Sequence, residues 1–220
     1  MKTQVSFIAF MLLAFIVFSC QNKNNQEIIA SDETDSLIYL FNGEDLSGLE
    51  IFIEDTSYNK DSVWQVVDGK LYTTGMPFGY IRTVESFKNY ELVVEWRWTE
   101  EPKNSGVLLH MQGEDKLWPT CIEAQLMSGK AGDFVAMGNA SFKERIDTTS
   151  RVVAKFEDSS ENAPGHWNKY EITCQDNSIT LIVNGIYQNK ATQTTINSGK
   201  IGLQSEGGPM EFRNFYLKKL

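Results

Sequence analysis

The chain has 220 residues, 41% hydrophobic, 12% aromatic and 22% charged, an ordinary globular composition that is neither collagenous nor disordered. Its formal net charge of −9 counts against a nucleic-acid binder, which needs clustered Lys and Arg to meet phosphates. Two histidines and three cysteines exclude a Cys/His-rich zinc module, and no P-loop, GxSxG or HExxH run occurs.

Residues 1–19 read as a signal peptide. Lys2 supplies a short basic start, and Ser6 to Phe18 is almost wholly apolar. That run is too short for a comfortable membrane span of about 20 apolar residues. Val17-Phe18-Ser19-Cys20 resembles a bacterial lipobox, with Phe18 an irregular member. It predicts lipidation of Cys20, whose acyl chains would anchor the protein without spanning the membrane. The alternative is a plain secretory signal with an incidental cysteine. Residues 20–36 are rich in Asn, Gln, Asp and Glu and read as a flexible polar tether. The expected location is the bacterial cell envelope, facing the periplasm or the outer membrane.

Residues 37–220 read as one domain of short strands, recurring at intervals of about 8–15 residues between turn signals. Leu37 to Phe41 opens it, followed by the turn-rich Asn42 to Leu49. Val63 to Val67 and Lys70 to Thr73 flank Asp68-Gly69, a strong hairpin signal. Gly79 to Thr83 is a short strand. Tyr90 to Trp98 alternates cleanly: Leu92, Val94, Trp96 and Trp98 share one face, and Glu91, Val93, Glu95 and Arg97 the other. Gly106 to Met111 and Cys121 to Leu126 follow. In the latter, Ile122, Ala124 and Leu126 oppose Cys121, Glu123 and Gln125. Lys169 to Cys174, Ser178 to Val183, Lys200 to Gln204 and Met210 to Leu217 complete the set, with a second hairpin turn at Asn184-Gly185. No long amphipathic helix is evident. The pattern predicts an all-β antiparallel sandwich or barrel. Polar residues on one face and apolar ones on the other suit a concave sugar-binding sheet, and equally an ordinary solvent-facing sheet.

Several blocks together resemble a known family: Leu40 to Gly48, Asn104-Ser105-Gly106-Val107, Ile122-Glu123-Ala124-Gln125, Gly165 to Asn168, Val183-Asn184-Gly185, Gly202 to Gly208, and Glu211-Phe212-Arg213-Asn214. The chain is similar in their order and spacing to the 3-keto-disaccharide hydrolase family. The resemblance implies a two-sheet jelly roll of the concanavalin A-like lectin/glucanase type, with ligand on its concave face. It implies action on glycosides already oxidised at C3, hence a sugar 3-dehydrogenase upstream. Membrane contact would come only through the anchor, and no nucleic-acid partner is expected.

Ordinary glycoside hydrolysis uses two carboxyl groups flanking the bond. Laminarinase-type relatives of the fold carry Glu-x-Asp-x-x-Glu on one strand, whereas here Glu123 is followed by the uncharged Gln125. A 3-keto sugar offers another route. Its carbonyl acidifies the C2 proton, and the C1 substituent leaves by elimination, assisted by a base, an acid and a group that holds the enolate oxygen.

His110, just beyond Asn-Ser-Gly, is the first candidate shuttle, since imidazole can take and give a proton near neutrality. A ligand clamp or enolate stabiliser, or a packing role, are its alternatives. Glu123 is the second catalytic candidate, as acid/base or metal ligand. Gln125 and Asn104 would bind sugar hydroxyls. Glu95 and Arg97 could join the same floor, or form a structural ion-pair network. Arg82 is open between the same two roles, and Glu206 sits in a Gly-flanked loop suited to function. Trp118 and Trp98 could stack on sugar rings, while Trp64, Trp96 and Trp167 read as core. Glu211 to Asn214 reads as closing the sheet. No cofactor is predicted. A divalent metal on Glu123, Glu95, Glu206 and His110 is conceivable but lacks a motif. Cys121 and Cys174 are expected to be free thiols. The functional expectation is cleavage of 3-keto-glycosides, and the alternative is a non-catalytic glycan-binding lipoprotein.

Overall fold

A computed structural model describes residues 37–220. The signal at 1–19, the anchor Cys20 and the tether at 20–36 lie outside the described residues.

One helical turn, α1 (Lys60–Val63), stands among fifteen strands: β1 (Leu37–Tyr39), β2 (Leu49–Ile53), β3 (Trp64–Val67), β4 (Lys70–Thr73), β5 (Gly79–Thr83), β6 (Tyr90–Trp98), β7 (Gly106–Gln112), β8 (Thr120–Gln125), β9 (Phe134–Met137), β10 (Val152–Val153), β11 (Asn168–Gln175), β12 (Ser178–Val183), β13 (Ile186–Thr192), β14 (Lys200–Ser205) and β15 (Met210–Lys219). They form two antiparallel sheets. The eight-stranded sheet runs β13-β12-β11-β6-β15-β4-β3, with β1 also paired to β15. The seven-stranded sheet runs β10-β9-β8-β7-β14-β5-β2. The all-β sandwich expected from the sequence is therefore the fold.

Four strands coincide with the sequence reading to the residue: β4, β5, β6 and β12. The sequence reading missed β2, β9, β10 and β13. β9 is apolar throughout and buried on both faces, so it has no alternation to detect. β10 has two residues, and a register shift interrupts the pairing of β13 with β12. Both predicted hairpin turns form. Asp68 and Gly69 have φ of 49° and 71°, and Asn184 and Gly185 have 50° and 80°. Two positive φ values in succession match the twist of the flanking strands, which explains Asx-Gly at both turns.

The inner faces of the sheets meet in one apolar core. Leu92, Val94 and Trp96 of β6 pack there with Val107 and Leu109 of β7, Ile122 and Ala124 of β8, and Leu203 of β14. Trp64 and Trp96 are buried as expected. Trp98 is only 3% exposed and belongs to the same core, so it offers no face to a sugar. The outer face of the seven-stranded sheet departs from the expected polar floor. Tyr80, Leu108, Met111, Cys121, Val135 and Met137 make a second buried apolar cluster there.

Candidate functional site

β8 places Glu123 on the outer face of the seven-stranded sheet, opposite Leu108 of β7 and Val135 of β9. The residue is 4% exposed. Its side chain extends over Gly106, where an added Cβ would lie 2.7 Å from the carboxyl carbon. Gly106 is thus required for close approach, since any larger residue would displace the carboxyl group. Glu123 Oε1 has no hydrogen-bond partner. Burial pushes its pKa up to about 8, the negative charge of Glu206 adds to this, and Arg151 pulls it back. At neutral pH the group is therefore largely a carboxylic acid, able to give a proton.

Period-2 alternation brings further polar side chains to this face. Glu206 follows β14, and its backbone bridges that of Asn104. Burial raises the Glu206 pKa, while a hydrogen bond from the Asn104 side chain and the charge of Arg151 oppose the rise. Asn104 Oδ1 is buried without a partner, as is Oε1 of Gln204, a residue only 2% exposed. Leu203 pairs with Val107, so the next residue, Gln204, lies beside Gly106. Glu123, Gln204, Glu206 and Asn104 accordingly border the space that Gly106 leaves open. The nearby cation, Arg151, stands just before β10, where its carbonyl accepts from the Ala136 N–H at 2.8 Å. Gln125 is on the same face, but its Oε1 accepts from the N–H groups of Leu126 and Met127, both at 2.8 Å. Only its amide NH2 is left to address a ligand.

His110 does not join this group. Simple alternation puts it on the face of Leu108. Instead the ladder shifts between Leu109 and Gln112, and His110 is the extra residue of a bulge with φ of 54°. Met111 takes the outer-face position. The His110 ring turns towards the core, edge-on to Tyr90 at 5.5 Å, with Nε2 3.2 Å from the Lys88 carbonyl. Burial lowers its pKa to about 4, so it is neutral at physiological pH.

Glu95 and Arg97 lie on the outer face of the other sheet. Arg97 Nη2 pairs with Glu211 at 2.6 Å, and Arg213 Nε with Glu95 at 2.6 Å. Both guanidinium groups cover the Trp167 ring, at 4.7 Å and 4.1 Å from its centroid. The ion-pair alternative is the one observed, and Trp167 is an outer-face residue rather than core. Glu211 to Asn214 lie within β15, which runs between β6 and β4 inside this sheet rather than closing it at an edge.

Arg82 is on the outer face of the seven-stranded sheet but fully engaged. Its Nε and Nη2 donate to Asp115 at 2.7 and 2.6 Å, and Nη1 pairs with Glu50 at 2.6 Å. Tyr80 also donates to Asp115, at 3.0 Å. These bonds pin the loop between β7 and β8, which holds Trp118 at 36% exposure. The suggested metal set is dispersed: Glu123 and Glu206 are together, whereas Glu95 and His110 are elsewhere. Among the described residues no three His, Cys, Asp or Glu side chains are grouped to hold a metal ion. Cys121 and Cys174 are buried free thiols. A cavity of about 330 Å³ beside β1 and a groove of about 580 Å³ at Gln112 to Lys116 are lined by neither Glu123 nor Glu206.

Two members of the site were missed from sequence. Gln204 carried a usable signal, since Ile201 and Leu203 alternate with Gly202 and Gln204 and the run resembles a family block. Arg151 carried none, because its place depends on the two-residue strand β10.

A glycosyl hydrolase-like protein from Parabacteroides distasonis has the same fold, with a TM-score of 0.64 and 21% identity over 88% of this chain and 98% of that one. A carbohydrate-binding module of Bacillus subtilis gives 0.56 and 9%, over 78% and 96%. A β-glucanase of Bacillus licheniformis gives 0.53 and 14%, over 82% and 95%. At these identities the likeness is one of fold. Comparison with curated proteins gives no match. Residues 36–218 match the 3-keto-alpha-glucoside-1,2-lyase-like domain, and the chain belongs to that family.

Proposed function

We propose that this protein cleaves 3-keto-glycosides by eliminating the C1 substituent, with Glu123 as acid and Glu206 as base. The single observation that carries the assignment is the pairing of a buried, unpartnered carboxyl with a more accessible one beside Arg151. Family membership supplies the carbohydrate-related role.

Glu206 removes the C2 proton, and the electron pair of that bond moves onto the C3 oxygen as an enolate. The electrons then return to form the C1–C2 double bond as the C1–O bond breaks. Glu123 protonates the departing oxygen. The products are an enone and an alcohol. Water adding at C1, with Glu123 now as base and Glu206, its proton exchanged with solvent, protonating C2, completes net hydrolysis. The Arg151 guanidinium and the Gln125 amide NH2 are the donors suited to the enolate oxygen. A positioned acid or base contributes about 10²–10⁴-fold each. A sugar 3-dehydrogenase would supply the substrate.

Incubation with 3-keto-trehalose in D₂O tests the mechanism. Cleavage with deuterium entering C2 of recovered or hydrated sugar is expected. Cleavage without any deuterium at C2 would overturn it. Micromolar binding of an unmodified glycan, with no turnover of any keto sugar, would replace it with a glycan-binding role.

Lipid anchoring at Cys20 in the cell envelope is part of the same proposal, and rests on the lipobox-like Val17 to Cys20. Cys20→Ser should release the protein from membranes. Unchanged membrane association would remove the anchor.

A further inference from the structure

The site contains two carboxyl groups and two side-chain amides, and the amides are oriented differently. Asn104 bonds the Glu206 carboxylate through its side chain, and its Oδ1 is left buried and bare. The bond is therefore made through the Nδ2 donor. Gln204 shows the opposite end. Its Oε1 is buried and bare on the strand beside Gly106, and Glu123 Oε1, also bare, lies over Gly106. Both bare acceptor oxygens border the space above Gly106, and a buried acceptor left without a donor is destabilising. A single proton on Glu123 removes both costs, because its O–H then has the Gln204 oxygen to receive it.

We infer that these two amides decide which carboxyl holds the proton: Gln204 accepts from a neutral Glu123, and Asn104 donates to an ionised Glu206. Both are positioning residues, acting through the carboxyl groups rather than on the sugar. The division into acid and base is then set by amide orientation as well as by depth. Other charged or titratable groups act on Glu123 too. Glu206 and Arg151 act on it through their charges, Cys121 stands two residues away on β8, and the Tyr170 hydroxyl feels its charge from β11. Arg151 has no acceptor, the Tyr170 hydroxyl is engaged with Gly132 and Gln125, and the Glu206 carboxylate, the one competing acceptor, is bonded by Asn104.

The inference rests on the acid/base roles proposed above, and its test does not need substrate. Carboxyl ¹³C resonances of Glu-labelled protein would be followed through pH titration in the native chain, Gln204→Met and Asn104→Leu. Gln204→Met keeps the volume and removes the acceptor. The Glu123 midpoint should fall by about one pH unit, a tenfold loss of proton affinity. Asn104→Leu should raise the Glu206 midpoint and leave Glu123 nearly in place. Where substrate is turned over, the alkaline limb of kcat/KM should follow Glu123 downwards in Gln204→Met. If that variant fails to fold, Gln204→Glu keeps the shape and places a charge at the same point. It should push the Glu123 midpoint up by about one unit or more. A Glu123 midpoint that moves in neither variant overturns the inference. Shifted midpoints in a protein that turns over no keto sugar would retire the catalytic reading and leave the proton assignment standing.

Discussion

The outer faces of the two sheets make an instructive pair. Both arise from period-2 alternation, and both present Glu and Arg or Gln between inward apolar residues. On the eight-stranded sheet every such charge near Trp167 has a partner: Glu95 with Arg213, Arg97 with Glu211, and both arginines on the indole. On the seven-stranded sheet Glu123 and Gln204 are deeper and have bare oxygens. Paired charges near solvent add little and define structure. A buried polar group without a partner is costly, and it persists where it serves something other than stability. The contrast locates the site better than the presence of acidic residues does.

The sharpest way to break this contrast is Glu123→Gln. Turnover should fall by about 10²–10⁴-fold, measured on a 3-keto-glycoside. Stability should rise. The Glu123 value is raised in the folded chain, so its contribution is intact below about 4.5 and lost as pH climbs through about 8. At pH 7 the unfolded chain gains by releasing a proton that the folded chain keeps, a difference of roughly 3 kcal/mol. Gln at 123 has no proton to release, and urea unfolding at pH 7 should show the gain, shrinking towards pH 4.5. A destabilised variant would mean that hydrogen bonds hold the Glu123 carboxyl group in the folded chain.

His110→Asn separates a buried core residue from the site. Asn tolerates the left-handed backbone at this position. The His110 value is lowered on folding, so its contribution is intact above about 6.5 and lost as pH falls through about 4. The native chain should lose up to about 3 kcal/mol across that window, and the variant should not. Turnover should stay within about threefold of native, far inside the range of losing an acid or base. Loss comparable to Glu123→Gln, in a folded variant, would return His110 to the chemistry.

The smallest expected effect is on the opposite face. Arg97→Met breaks one ion pair and one contact with Trp167, at a cost of below about 1 kcal/mol in thermal unfolding and no change in turnover. A clear fall in kcat would show that the two faces are coupled.

Much of the strand order was legible because alternation and Asx-Gly turns are local properties. Tyr90 to Trp98 reads as a strand from its own residues, and so do the hairpins at Asp68-Gly69 and Asn184-Gly185. Glu123, Gln125, Asn104 and Glu206 were also within reach, since resemblance to the family blocks singled out their segments. His110 was misplaced because one extra residue in β7 reverses the facing of a side chain, and no feature of Gly106 to Met111 announces it. Glu95 and Arg97 were misplaced for a different reason. Alternation gives two faces per strand but not which sheet the strand joins.

By itself, then, the sequence determined an all-β chain with an acidic surface, a family resemblance and a lone carboxylate on the Cys121-Ile122-Glu123-Ala124-Gln125 run. Those follow from composition, periodicity and local order. Which polar residues share a space was decided only by pairing between distant strands: β7 beside β14 brings Gln204 to Gly106, and β8 beside β7 lays Glu123 across it. Proton affinity is likewise a tertiary property, because it depends on how much water the neighbouring strands exclude and on which charges they carry there.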